Sequence, residues 1–108
     1  MKRQRTKKNK HFKDVKLYNH IMTRCEARWG FIPTIGEIRE MASQVKLGKS
    51  IFIGRATLTR SYHIVVLRNI EIPIVFSKIS QLPVSVYPVN SLVEWRLTEK
   101  YKRAKGLI

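Results

Sequence analysis

Apolar residues first recur at helical spacing between Asp14 and Gly30, where Leu17, Ile21 and Cys25 stand four apart beside Tyr18, Met22 and Trp29. That spacing predicts one buried stripe of an amphipathic helix, with Asp14 placed to cap it and Gly30 to end it. Thr34 and Glu37 then form a capping box: the hydroxyl accepts from the backbone NH of Glu37 and the carboxylate reaches back. A second helix is expected from there through Ile38 and Met41 to about Val45. The run KLGKSIFIG, residues 46–54, reads as an extended or loop segment between two glycines.

From Arg55 to Arg68 helical spacing returns. Leu58, Tyr62 and Val65 fall on one face, and Asn69 is placed to take a left-handed conformation after the helix end. The β-rich runs IEIPIVF and PVSVY, separated by SKISQL, predict a hairpin in which Pro73 must sit at an edge or a bulge. Ser91 and Glu94 repeat the capping-box spacing, so a fourth helix is expected from about Leu92 to Ala104, closed by Gly106. The order helix, helix, helix, hairpin, helix is that of an α+β, mainly helical domain.

Charge changes the picture at the amino terminus. Residues 1–13 carry Lys2, Arg3, Arg5, Lys7, Lys8, Lys10 and Lys13 with few apolar groups, which predicts a flexible basic arm able to lie along phosphates. The expected division is therefore an arm over 1–13, a domain over 14–90 and a C-terminal helix over 91–108. Over the whole chain 22 Lys and Arg stand against 7 Asp and Glu, a net +15. An excess of that size implies an anionic partner: nucleic acid, an acidic membrane or an acidic protein.

Little else points to chemistry. Gly48-Lys49-Ser50 invites comparison with a phosphate-binding P-loop, but Ser43 occupies the position of that motif's first glycine and lies inside a predicted helix. The acidic residues form no cluster of the kind metal-dependent nucleases use, and no enzyme, cofactor or metal is expected. His11, His20 and His63 are too dispersed for a zinc site. The single Cys25 excludes an intramolecular disulfide, sits in the helical stripe as a small buried hydrophobe, and suits a reducing, intracellular setting. The apolar runs are short and the amino terminus is polar, so neither a membrane span nor a secretory signal is expected, and the location is read as cytoplasmic or nucleoid-associated.

The succession GFIPTIGEIREMA, then RATLTRSYHIVVLRNIEI, then a hairpin resembles the winged helix-turn-helix fold, most closely the amino-terminal domain of the LexA repressor family. The likeness covers roughly residues 12–88. Pro33, Thr34, Glu37 and Ile38 match the stretch that opens that family's positioning helix, and Asn69, Ile70 and Ile72 fall where its wing begins. The resemblance implies three helices, a β-hairpin wing and an extra C-terminal helix. The chain departs from the pattern in the 46–54 insert, in a wing loop with Lys78 as its one cation, and in having no protease or ligand domain after the wing.

On the third predicted helix, Arg55, Thr57, Thr59, Arg60 and His63 lie outward at the amino-terminal end, where a recognition helix reaches base edges. Lys46, Lys49 and Lys78 join the cations of the arm as phosphate-binding candidates. Ile64 and Leu67 also point outward on this reading, and with Val93, Leu97 and Tyr101 of the fourth helix they are candidates for a homodimer interface. The expected function is a sequence-specific double-stranded DNA-binding protein, a transcriptional regulator such as a repressor of a phage, plasmid or virus. The alternatives are an origin-binding replication or partition factor, and a structural RNA-binding or ribosome-associated protein.

Overall fold

The structure is a computed structural model that describes the fold from Lys2 onward and the side chains from Val15 onward. The basic arm expected over residues 1–13, its cations Lys2, Arg3, Arg5, Lys7, Lys8 and Lys10, and the Asp14 cap lie outside the residues whose side chains are described. Helix α1 (Lys2–Trp29) is followed by α2 (Ile35–Lys46), four strands, β1 (Ile51–Arg55), β2 (Arg60–Leu67), β3 (Ile70–Ser77) and β4 (Leu82–Val86), and two short helices, α3 (Val89–Arg96) and α4 (Glu99–Ala104). The strands form one antiparallel sheet in the order β1-β2-β3-β4, so each strand pairs with its chain neighbours.

This corrects the winged-helix plan. The segment 55–68 is not a recognition helix: β1 and β2 are a hairpin, and β2 lies in the middle of the sheet. Its residues alternate between faces. Val65 and Leu67 pack with Ile72 and Ile74 of β3 against Ile21 and Cys25 of α1 and Ile38 and Met41 of α2. Tyr62 and Ile64 turn to the other face, where Tyr62 meets Trp95 of α3 at a ring-centroid distance of 5.3 Å. A strand covered on both faces reads as a continuous apolar run, and periodicity cannot separate such a run from a buried helix. The β-branched Ile64-Val65-Val66 favours the strand.

Arg68 and Asn69, at φ 54° and 62°, make the two-residue turn that joins Leu67 to its partner Ile70. Two successive left-handed residues match the twist of a hairpin. Asn69 thus has the conformation its position predicts, at the end of a strand. The expected pairing of IEIPIVF with PVSVY is present as β3 and β4, but β3 also pairs along its length with β2 and is no wing.

Pro73 lies in an inner strand without breaking it. Its carbonyl accepts from Tyr87 N at 2.8 Å, just beyond the end of β4. An NH at position 73 would aim at the Tyr87 carbonyl, and that oxygen instead accepts from Trp29 Nε1 at 2.8 Å. The missing donor is replaced by an indole, and no acceptor is orphaned.

The capping box at Thr34 and Glu37 is present, with bonds of 3.1 and 2.9 Å, and Gly30 ends α1 at φ 79°. The second box is not used. Pro88 precedes α3, the helix breaks at Leu97, and Thr98 caps α4 by accepting from Tyr101 N. These helices pack across the second face of the sheet. Glu71 of β3 holds them there, accepting from Arg96, Lys105 and Tyr101 at 2.8 to 2.9 Å. Burial pushes this carboxyl up, the three donors outweigh it, and the net shift is below the ordinary value.

The same packing overturns the outward placing of Ile64 and Leu67. They are 2% and 5% exposed, on opposite faces of one strand, so neither is available to a partner subunit. Tyr101 is engaged with Glu71, whereas Val93 and Leu97 stand exposed.

Candidate nucleic-acid interface

Two hairpin tips meet at one end of the sheet. Between β1 and β2, Ala56 N and Thr57 N donate to Arg60 O, and the Thr57 hydroxyl accepts from Thr59 N and Arg60 N at 3.3 and 3.1 Å. The Thr57 side chain therefore builds the turn. Between β3 and β4, Ser77 Oγ accepts from Ile79 N and Ser80 N, and Gln81 takes φ 60°. Lys78 N donates to Thr59 O at 2.8 Å and ties the second tip to the first.

Arg55, Arg60 and Lys78 are thus neighbours, and among the described residues none of them enters an ion pair. The carboxylates that do pair lie elsewhere. Glu37 takes the Arg68 guanidinium at 2.8 and 2.9 Å, and that hydrogen-bonded pair, with the Thr34 NH, lowers its pKa to about 2. Glu71 and Glu99 hold the C-terminal cations. Leu58 and Ile79 project from the two tips, 83% and 79% exposed.

Below the β1–β2 tip lies a cavity of about 240 Å³ whose lining includes Arg55, Arg60 and Lys78 together with Phe52, Phe76 and Val45. Ser61 and His63 complete it. Nε2 of His63 is 2.7 Å from Ser61 Oγ, and Nδ1 is 2.9 Å from Ser50 Oγ. Burial lowers the imidazole pKa to about 4, so the ring is neutral near physiological pH. A neutral imidazole has one donor and one acceptor, so one serine donates to it and the other accepts from it.

Of the five base-reading candidates, Arg55, Thr57, Thr59 and Arg60 come together at the tip. His63 does not: it is 7% exposed, behind the tip in the cavity wall. Lys78 joins the cluster, while Lys46 and Lys49 are exposed at the far end of β1. Phe52 and Phe76 were not singled out from the sequence, because only the strand register brings them to His63; Ser50 figured only in the dismissed P-loop comparison, and Ser61 joins His63 only once the segment is a strand.

Among the described residues no three His, Cys, Asp or Glu side chains are grouped to hold a metal, and no helix is long and apolar enough to cross a membrane. Compared with known proteins, the chain matches no family model, no curated protein and no solved structure at a significant level.

Proposed function

We propose that the protein binds double-stranded DNA through the β1–β2 hairpin and the adjoining β3–β4 tip, in the role of a transcriptional regulator. The observation that carries the reading is the cluster Arg55, Arg60 and Lys78, in no ion pair among the described residues, on two abutting tips of a chain with net charge +15. Free cations beside a turn of small hydroxyl residues suit phosphate contact, and a two-stranded ribbon is narrow enough to enter the major groove. The arginines then face base edges, where a bidentate guanidinium favours guanine.

Stacking on single-stranded RNA needs an open aromatic platform. Helices cover both faces of this sheet, and the aromatic group Tyr62, Tyr87 and Trp95 packs within itself at 5.3 to 5.8 Å. Duplex affinity measured at several salt concentrations tests the proposal. The expected result is a steep fall with salt that becomes shallower in Arg60→Ala and Lys78→Ala. Equal or tighter binding to structured RNA across the same range overturns it.

A further inference from the structure

The cavity behind the tip is more than phosphate contact requires. Its volume, about 240 Å³, lies below the ~300–1,000 Å³ of sites for drug-sized ligands, and suits a single planar ring system. Two phenyl rings lie edge-on to the neutral His63, Phe52 at 5.6 Å and Phe76 at 6.2 Å between centroids. Ser61 Oγ supplies a hydroxyl at the wall, and the cations Arg55 and Lys78 contribute to the lining. Apolar ring walls, one hydrogen-bonding group and an anion-binding rim together match a nucleoside phosphate. The larger surface groove beside Glu71 offers no such set: Tyr101 is the one ring in its lining, and its cations Arg96 and Lys105 are paired with Glu71.

We infer that this cavity receives one unstacked nucleotide of the bound strand, its base against Phe52 and the Ser61–His63 pair and its phosphate on Arg55 and Lys78. Leu58 and Ile79 are the wedge: apolar side chains carried on hairpin tips can insert at a base step and open it. A base already unpaired costs least to draw out of the stack, so the protein prefers duplexes with an unpaired position. The inference rests on the DNA-binding reading and adds to it a preference for distorted sites.

The test uses the full chain with a fully paired duplex and the same duplex carrying one unpaired nucleotide, labelled there with 2-aminopurine. Two variants address the cavity: Ser61→Leu fills it, and Phe52→Ala removes a wall that is 42% exposed on an edge strand. Thermal melting checks that each is folded. A second arm titrates the isotopically labelled protein with thymidine monophosphate and, separately, with inorganic phosphate, reading amide shifts.

The expected result is at least about ten-fold tighter binding of the unpaired duplex, lost in both folded variants while paired-duplex affinity is kept. Thymidine monophosphate should shift Phe52, Ser61 and His63, and phosphate should not. Duplex binding without that preference, or a preference that survives both variants, overturns the cavity and leaves the DNA reading standing. Nucleotide-specific shifts without duplex binding support the cavity and overturn the DNA reading. Neither shifts nor binding overturns both.

Discussion

The side chain of Gln44 pairs with the backbone of Val66 as a strand would: Nε2 donates to Val66 O at 2.7 Å and Oε1 accepts from Val66 N at 2.9 Å. β1 pairs only as far as Ile64, so beyond it the outer edge of β2 has no strand neighbour. A helix residue completes the ladder there. Its own carbonyl also accepts from Lys49 N and Ser50 N, which sets the path of the chain into β1. Replacing Gln44 with leucine removes both bonds to Val66 and a third, from Nε2 to Glu40 Oε2 at 3.1 Å, and should cost about 1–2 kcal/mol in urea unfolding. A loss of under a few tenths would mean that water serves the edge equally well.

His63 makes stability depend on pH in a defined direction. Its folded value of about 4 lies below the ordinary 6.5, so between the two the unfolded chain binds more protons. Its contribution is complete above 6.5 and is lost as the pH falls toward the folded value, roughly 3 kcal/mol across the window. Glu37 acts lower, its contribution present above 4.5 and lost as the pH falls through about 2. Denaturant unfolding at a series of pH values should show the first slope in the wild type and its removal in His63→Gln.

Cys25 is fully buried among Ile21, Ile38 and Met41, and burial pushes its thiol up to about 11. A thiol-specific disulfide reagent at mildly alkaline pH should modify it at the rate of global unfolding and at once in denaturant. Rapid stoichiometric reaction of the folded protein would contradict that packing.

The basic residues should separate by position. Arg60→Ala should cost roughly 1–3 kcal/mol on a preferred duplex, and Lys78→Ala should weaken all sequences alike and lower the salt slope by about one. Lys46→Ala and Lys49→Ala, at the other end of β1, should change affinity less than either. A ranking with Lys46 and Lys49 foremost would move the interface to the α2–β1 loop.

The helical part of the fold was legible where local chemistry decides it. Thr34 with Glu37 starts α2 and Gly30 stops α1 through bonds that span a few residues. Of the sheet only the β3–β4 pairing was legible, and β2 was not, because Leu58, Tyr62 and Val65 share a helical face by coincidence of spacing while alternation puts Val65 and Tyr62 on opposite sides. That single error also misplaced His63. On a helix it lies beside Arg60, and on a strand, three positions on, it faces the other way. Arg55, Thr57, Thr59 and Arg60 lie together in either case, because Arg55 to Arg60 are neighbours in the chain whatever its conformation. The cavity was beyond reach, since Ser50, Phe52 and Phe76 meet His63 only across paired strands.

A sheet whose spatial order repeats its chain order also governs how the molecule assembles in time. Each new strand need close only a short loop onto the one before it, so the entropy of bringing distant segments together is small at every step. The Arg68-Asn69 turn, the tightest of the three connections, is the natural place for pairing to begin, with β1 and β4 zipping on to either side.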